Sequence, residues 1–260
     1  MKIALVGYGK MGKLLEAKAP ERGHQISAIV DPYIAEEKSS PGTRIYKSLD
    51  SLLSPDESPD LAIEFTRPDT AAENLLFLLK HKIPAITGTT GWDNKMPEIR
   101  AAAKESGTSI FWAPNFSLGM NLFYLLASYA AEIFDPFSEY DVGGFECHHN
   151  KKADSPSGTA RALTEKLLGR MTRKKKAVFE KLDRPPAPDE IHFSSLRVGS
   201  VQGIHSIVID SAADTIELTH TLRSREGLVA GALKAADWLI AQKKTGFFTM
   251  DDMLADILRQ

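Results

Sequence analysis

The chain has 260 residues, of which 43% are hydrophobic and 25% charged, and its formal net charge is −2. This length allows one large core or two smaller ones, and the near-neutral charge excludes the basic surplus typical of nucleic-acid or anionic-membrane binding. The one cysteine, Cys147, excludes an intrachain disulfide and a cysteine-rich zinc site. No apolar run approaches the roughly 18 residues of a membrane helix. We therefore expect a cytoplasmic protein without a metal site, a nucleic-acid partner or a membrane partner.

Short apolar runs alternate with amphipathic stretches over the first 115 residues. The predicted strands are residues 3–6, 26–30, 61–65, 85–87 and 109–112. Helical periodicity occurs between them, as at residues 71–79 and 96–103. This alternation predicts an α/β fold, a Rossmann-type doubly wound parallel sheet with helices on both faces and ligands at the carboxyl ends of the strands.

The pattern changes near residue 115, where a second domain of α+β type begins. Apolar spacing predicts a long helix over residues 120–134, a strand over residues 142–147 and a helix after Pro156. A meander of antiparallel strands is predicted at residues 194–197, 205–209 and 215–222, with turns at 199–200 and 213–214. Residues 170–176 are predicted to be a basic surface run, and residues 184–188 a stiff proline-rich loop.

Two further helices are predicted at residues 231–241 and 250–258, and we expect the first of them to return to the first domain. The dinucleotide-binding domain is thus placed at residues 1–117 plus 225–260. The substrate domain is placed at residues 118–224.

A GxGxxG motif follows the first strand and begins a helix, which is the context in which it indicates dinucleotide binding. Gly7 permits the tight turn, Gly9 lets a pyrophosphate approach the backbone, and Gly12 lets helix and strand pack closely. Asp31, about 20 residues further on, can accept hydrogen bonds from the adenosine ribose. Pro32 carries no cation for a 2′-phosphate, which predicts that NADH is at least as good a cofactor as NADPH. Lys10 is the nearby residue that could bind the additional phosphate.

Two other strand exits, at residues 88–91 and 113–117, fall at the same predicted edge of the sheet. Each is either a cofactor loop or an ordinary turn, because Gly, Thr, Asn and Ser are common in both. The GxGxxG segment has the corresponding alternative, a glycine-rich turn without a ligand.

The segment from Glu146 to Ala160 combines two histidines, two lysines and a helix start. Ser157, Gly158 and Thr159 fall in the first helical turn, where unpaired backbone N–H groups bind carboxylates or phosphates. The alternative is a solvated basic turn before an ordinary capped helix. Cys147 lies in the preceding strand, where alternation favours a half-buried, inert thiol over a nucleophile.

In order along the whole chain, six segments resemble the dihydrodipicolinate reductase family. They are GYGKMG, EFTRP, GTTG, APNFSLGMN, ECHHNKKADSPSGTA and the late residues 219–225. The histidine-pair segment is the most specific of these and GxGxxG the least. The resemblance implies a Rossmann-type domain and a substrate domain that also builds a homotetramer. It further implies reduction of 4-hydroxy-tetrahydrodipicolinate, a cyclic dicarboxylate, by NAD(P)H in bacterial diaminopimelate and lysine synthesis.

The resemblance also implies roles for individual residues. His148 is similar to the family's proton donor or acceptor, and Lys152 to its proton donor. The implied substrate contacts are His149, Ser157, Gly158 and Thr159. The implied cofactor contacts are Gly7, Tyr8, Gly9, Lys10, Met11, Gly12, Asp31, Gly88, Thr89, Thr90, Ala113, Pro114, Asn115 and Phe116. The chain departs from the family pattern at Lys10, where arginine is frequent, and a lysine there loses the bidentate fork toward phosphate.

The residue types agree with this chemistry, because hydride addition to an unsaturated nitrogen heterocycle leaves negative charge that a nearby acid must neutralise. Two alternatives stay open from sequence. One is another two-domain Rossmann dehydrogenase, which would share the first domain but not the histidine-pair segment. The other is a nicotinamide-sensing module without catalysis, in which proton donors beside an anion site would have no use.

Overall fold

A computed structural model describes residues 1–34, 42–53 and 58–259 of the chain. The strands are β1 Lys2–Val6, β2 Gln25–Val30, β3 Arg44–Tyr46, β4 Leu61–Glu64, β5 Ala85–Thr87, β6 Ser109–Trp112, β7 Asp141–His148, β8 Lys176–Val178, β9 Glu190–Arg197, β10 Ile204–Asp210, β11 Thr215–Thr221 and β12 Gly246–Phe248. The helices are α1 Lys10–Lys18, α2 Pro68–Lys80, α3 Met96–Ser106, α4 Leu118–Phe134, α5 Gly158–Leu168, α6 Glu226–Ala241 and α7 Met250–Leu258. None of these described helices is long and apolar enough to cross a membrane.

The chain forms two compact units. The first unit contains Met1–Ser117 and Glu226–Gln260, and the second contains Leu118–Arg225. Arg225, which the sequence assigns to the first domain, lies with the second unit because the return to the first unit coincides with the start of α6 at Glu226.

The first unit is built on a seven-stranded parallel sheet in the order β12-β6-β5-β4-β1-β2-β3. Alternating residues of β1 point to opposite faces, and Ala4 and Val6 pack with the apolar sides of α2 and α3. Helix α6 contacts β5, β6 and α1. The predicted α/β Rossmann-type class is confirmed. Strands β3 and β12 were not predicted, since three residues are too few to show a period in the sequence.

Local sequence explains where the helices of this unit begin and end. Helix α2 starts at Pro68, whose missing N–H costs nothing in the first turn, and buries Leu75, Leu78 and Leu79 on one face. Helix α3 ends at Gly107, which adopts a left-handed conformation with φ of 68°.

The second unit is built on a five-stranded mixed sheet in the order β11-β10-β7-β9-β8. Helices α4 and α5 pack on one face of it, around a core that includes Phe123, Leu163, Phe193 and Ile207. This arrangement confirms the predicted α+β type.

The predicted meander is wrong for one of its three strands. Strands β10 and β11 form the expected antiparallel hairpin, but β9 pairs in parallel with β7, which lies between β9 and β10. Apolar alternation shows which face a residue occupies and not which strand lies beside it. Gly144 of β7 leaves the room that this packing needs, because a Cβ atom there would lie 2.6 Å from the Phe193 ring.

The predicted basic surface run at residues 170–176 is also wrong at one position, because the side chain of Lys174 is only 1% exposed. Its ammonium group donates to the carboxylate of Asp141 and to the carbonyl oxygens of Pro188, at 2.9 Å, and Glu190, at 2.8 Å. These acceptors replace water, which makes burial of the charge tolerable. Lys174 therefore ties the start of β7 to the start of β9.

Glu190 organises the proline-rich loop that precedes β9. Its side chain has no exposed surface and accepts two hydrogen bonds from Arg184 and one from the backbone N–H of Ala187, each at 2.7 Å. The guanidinium group of Arg184 is the largest of the contributions that hold the pKa of this carboxyl well below its usual range. The loop is thus closed by a buried carboxylate with a structural role.

We expect Lys174→Met to lower the free energy of unfolding by about 2 to 3 kcal/mol, because it leaves buried carbonyl oxygens without donors. Chemical denaturation at fixed protein concentration measures the change. Lys175→Met is the matched control, since Lys175 is exposed and should change stability by less than about 0.5 kcal/mol. Equal stabilities of the two variants would contradict this account of Lys174.

Candidate functional site

The glycine turn of the first unit packs against Phe65, the residue that follows β4, and against its own backbone. Gly7 has φ of 94°, and a Cβ atom there would lie 2.3 Å from the carbonyl oxygen of Phe65. A Cβ atom at Gly12 would lie 2.5 Å from the carbonyl oxygen of Gly7. Gly9 differs, because among the described residues, apart from its chain neighbours, no atom lies within 4 Å of the position of its Cβ. Gly9 caps the N-terminus of α1, so this open position faces amide groups that can bind a pyrophosphate.

A cavity of about 510 Å³ lies beside this turn and is lined by Gly7, Tyr8, Gly9 and Asp31 among other residues. The carboxylate of Asp31 is held by two backbone N–H groups, those of Tyr8 and Tyr33, each at 2.8 Å. One N–H reaches each carboxylate oxygen, and each oxygen keeps a lone pair for a further donor. Asp31 is thus oriented within the cavity and can still accept a ribose hydroxyl.

Two cations line this cavity that the sequence did not assign to it, Lys47 and Arg67. Lys10, which the sequence named as the nearby cation, lines a different cavity of about 420 Å³. Lys47 was missed because it follows β3, whose position next to β2 could not be seen without that short strand. The backbone N–H of Asp31 donates to the carbonyl of Tyr46 at 3.0 Å, which places Lys47 one residue from this contact.

The second cavity lies between the glycine turn and the predicted strand exit at residues 88–91. Its lining contains Gly9, Lys10 and Met11 from the turn, and the Gly88, Thr89 and Thr90 segment. The side chain of Thr89 is buried, and its hydroxyl accepts from the backbone N–H of Thr66 at 3.0 Å. Thr89 therefore supports the loop, whereas Thr90 is exposed.

The other strand exit does not line either cavity. Ala113 and Phe116 are buried, and the Phe116 ring packs against those of Phe65 and Phe111, each at 5.9 Å between centroids. Pro114 is exposed, and the side chain of Asn115 accepts from the backbone N–H of Ser117 at 2.9 Å. The structure thus gathers the glycine turn, Asp31 and residues 88–90 around the cavities, but not residues 113–116.

Glu64 is a polar residue of this region to which the sequence assigned no role. Its carboxylate has no exposed surface and accepts from the backbone N–H of Thr66, at 3.0 Å, and from the hydroxyl of Thr87. These contacts hold the carboxyl ends of β4 and β5 together. The sequence did contain one indication of this role, since Glu64 is a single charged residue at the end of an apolar strand.

In the second unit, β7 brings Glu146 and His148 to the same face of the sheet because they are two residues apart. One oxygen of the Glu146 carboxylate contacts Nδ1 of His148. The other accepts from Arg197 at 2.8 Å and from the backbone N–H of Ser157 at 3.1 Å. Burial opposes the charge of Glu146, but the donors outweigh burial and lower its pKa to about 2. The carboxylate is therefore ionised throughout the physiological range.

A second buried imidazole, that of His205 on β10, lies against His148 with 5.1 Å between ring centroids. Burial is the largest cause that lowers the pKa of His205 to about 4, and the neighbouring His148 imidazole contributes in the same direction. Its Nε2 lies 3.3 Å from the hydroxyl of Ser157. Burial also lowers the pKa of His148, and the charge of Glu146 acts in the opposite direction. Both rings are thus held mainly in the neutral form near pH 7.

Sequence reasoning missed Glu146, Arg197 and His205 as members of this group. They come from three strands whose register joins them: Glu146 pairs with His205, and His148 pairs with Arg197. The periodicity of apolar residues in the sequence does not show which strands pair or in which register. The ligand atoms of Glu146, His148 and His205 lie within 4.8 Å of one another. Both oxygens of Glu146 are already engaged by hydrogen-bond donors, so we assign a hydrogen-bonded cluster and not a metal centre.

The N-terminus of α5 is placed next to this cluster. Ser157 is its N-cap, and its hydroxyl accepts from the backbone N–H of Ala160 at 3.1 Å. Gly158 is exposed, and the position of its Cβ has no atom within 4 Å from the described residues outside its own helical turn. Thr159 bonds to the hydroxyl of Tyr124, whose pKa burial raises to about 12.

One carboxylate of the chain itself lies at this helix start. The ammonium group of Lys152 is 2.8 Å from the carboxylate of Asp154, which also accepts the backbone N–H of Gly158. The bond from Lys152 is the largest cause of the lowered pKa of Asp154. His149 precedes these residues on the same segment, and its Nδ1 is buried without a hydrogen-bond partner among the described residues. The segment of residues 149–158 thus carries Lys152, His149 and the first amides of α5.

These two sites, on a Rossmann-type sheet and on a mixed sheet, define an oxidoreductase of two-unit build that uses a nicotinamide cofactor. Comparison with known proteins gives the family. The models described as the N-terminus and the C-terminus of dihydrodipicolinate reductase match residues 1–116 and 119–254. The chain belongs to the dihydrodipicolinate reductase family. This membership excludes the alternative of an unrelated two-domain dehydrogenase.

Similarity to individual proteins supports the same family. The chain is 36% identical to a 4-hydroxy-tetrahydrodipicolinate reductase of Christiangramia forsetii, with 100% of both chains covered. It is 32% identical to the protein of the same name in Lawsonia intracellularis, covering 97% of this chain and 98% of that one. A dipicolinate-bound dihydrodipicolinate reductase from Paenisporosarcina sp. TG-14 has the same fold, with a TM-score of 0.78, 22% identity and coverage of 96% and 97%.

We expect Gly9→Val to abolish NADH binding, because its side chain would fill the space in which a pyrophosphate approaches the amides of α1. The variant should fold, since in the described part of the chain only the neighbouring residues lie within 4 Å of the new Cβ. Calorimetric titration with NADH measures the loss. The matched control is Gly227→Ala, at an exposed glycine of α6 that is equally open. Unaltered NADH affinity in Gly9→Val would rule out the glycine turn as the pyrophosphate site.

Proposed function

We propose that this protein reduces 4-hydroxy-tetrahydrodipicolinate to tetrahydrodipicolinate in the biosynthesis of diaminopimelate and lysine. The observation that carries the proposal is the position of Asp154. Its carboxylate is bound at once by the ammonium group of Lys152 and by the backbone N–H of Gly158. These two groups can therefore hold a single carboxylate, and a carboxylate of the substrate would take the place of Asp154.

The residues around that position supply the remaining chemistry. The N–H groups at the start of α5, with Ser157 and Thr159, bind one carboxylate of the diacid. Nδ1 of His149, which has no hydrogen-bond partner among the described residues, is a further donor. Loss of the 4-hydroxyl group as water gives the unsaturated diacid, and a bound reduced nicotinamide would supply the hydride that reduces it. Lys152 then donates the proton that neutralises the charge left on the substrate, and His148 gives or takes protons beside it. The full-length identity of 36% to a reductase of this name supports the same assignment.

The cofactor is proposed to be NADH, with NADPH also accepted. The oriented carboxylate of Asp31 favours an unphosphorylated ribose, and Pro32 offers no cation. Lys47 and Arg67 line the same cavity and provide positive charge for a 2′-phosphate. A preference for NADPH of about tenfold or more in kcat/KM would contradict this assignment.

The test of the function is a coupled assay in which the upstream synthase supplies the substrate and NADH oxidation is followed by absorbance. Lys152→Ala should lower kcat by about 10² to 10⁴-fold and leave NADH affinity nearly unchanged. Lys151→Ala, at the exposed neighbouring lysine, is the control and should keep near-wild-type kcat. Near-wild-type kcat in Lys152→Ala would remove Lys152 from the mechanism. Cofactor binding without turnover in the wild type would favour a nicotinamide-sensing module.

We further propose a cytoplasmic homotetramer. The unpaired thiol of Cys147 supports a reducing compartment. The support for association is the sheet face opposite α4 and α5, where Phe145 and Leu196 are 41% and 56% exposed. Large apolar side chains on central strands of an open sheet face are typical of protein interfaces.

We expect Leu196→Lys to shift the assembly to smaller species, because it places a charge in the apolar face. Light scattering should give four times the chain mass of 28.6 kDa for the wild type and less for the variant. Leu258→Lys, at an exposed leucine of α7, is the control and should stay tetrameric. A tetramer in both variants would place the interface elsewhere.

A further inference from the structure

The contact between Glu146 and His148 assigns a role to a residue that the proposed function has not used. We propose that Glu146 is a positioning residue that holds His148 in the tautomer with the proton on Nδ1, so that Nε2 is the nitrogen that exchanges protons. This inference rests on the proposed function for its catalytic meaning, but the tautomer itself can be tested without turnover.

The direction of the hydrogen bond follows from the chemistry of its partners. A carboxylate that is ionised can only accept, so Nδ1 of His148 must carry the hydrogen in the contact with Glu146. A neutral imidazole has one N–H, which leaves a lone pair on Nε2. Nε2 of His148 has no hydrogen-bond partner in the part of the chain that the structure describes. The free nitrogen is therefore the one that can exchange a proton.

The carboxylate cannot easily rotate away from the ring. Its other oxygen is bound by Arg197 of β9 and by the first amide of the α5 turn, at Ser157. The same Arg197 nitrogen donates to the carbonyl oxygen of Asp154 at 2.6 Å. Glu146 is thus connected through Arg197 to the segment that carries Lys152 and Asp154.

The space beside Nε2 is kept open by a glycine. A Cβ atom at Gly203 would lie 3.0 Å from Nε2 of His148, which is closer than ordinary van der Waals contact. A side chain at Gly203 would push the ring or cover the nitrogen. Glu146 on one side and Gly203 on the other thus determine where the imidazole lies.

The charges around His148 make Glu146 the group that favours its protonated form. The facing groups are Glu146 on the same strand, Lys152 in the following loop, Arg197 on β9 and His205 on β10, with His220 next to His205 on β11. Lys152 and Arg197 disfavour the imidazolium ion, as burial does. Loss of the Glu146 charge therefore lowers the pKa of His148 further.

The experiment uses the full chain labelled with ¹⁵N-histidine, without substrate, and assigns the His148 signal from its absence in His148→Gln. The wild type should show a neutral ring protonated at Nδ1. In Glu146→Gln the titration midpoint of His148 should fall by about 1 to 3 pH units, because an opposite charge has been removed. The pH at which kcat/KM changes should move in the same direction, and kcat should fall by about 10-fold or more.

Glu190→Gln is the matched control, since Glu190 is an equally buried carboxylate in the same unit. Among the described residues it contacts Arg184 and Lys176 but no histidine. The variant should lose stability but keep the wild-type titration midpoint and pH profile. A wild-type His148 protonated at Nε2 would overturn the proposal, whether or not Glu146→Gln folds. An unchanged midpoint in a folded Glu146→Gln would also overturn it. The expected tautomer together with an inactive wild type would instead count against the proposed function.

Discussion

Keeping a carboxylate ionised without any exposed surface requires several donors, and in the second unit Glu146 obtains them from three separate elements. His148 on β7, Arg197 on β9 and the first amide of the α5 turn all point at it. If one donor were lost, the remaining charge would be costly to bury. The position of α5, and with it the group of N–H donors at its start, therefore depends on this one acid.

The first unit follows a different constraint, which is the geometry of a parallel sheet. All carboxyl ends of its strands lie along one edge, so the loops after β1, β4 and β5 meet there without any specific contact being required. The two cavities beside the glycine turn are lined in part by those loops. Buried Glu64 then adds hydrogen bonds that join the ends of β4 and β5.

Much of the fold could be predicted from the sequence because its strong signals are local. The strand of residues 85–87, the strand of residues 109–112 and the helix of residues 250–258 are found with the predicted bounds. Errors arose where the answer depended on a distant partner. The parallel pairing of β9 with β7, the burial of Lys174 and the position of Lys47 beside Asp31 are all set by neighbours far away in sequence. The same reason explains why Arg197 and His205 were missed although His148 was found.

The central claim is that Lys152 and the α5 amides bind a dicarboxylate in a protein that also binds a nicotinamide dinucleotide at Gly9. A crystal soaked with NADH and pyridine-2,6-dicarboxylate tests it most directly, because it locates both ligands in one experiment. We predict one carboxylate on the N–H groups of Gly158 and Thr159 with Lys152 beside it, Asp154 displaced, and the pyrophosphate on the glycine turn. A diacid bound away from residues 148–159, with the glycine turn unoccupied by NADH, would contradict the account.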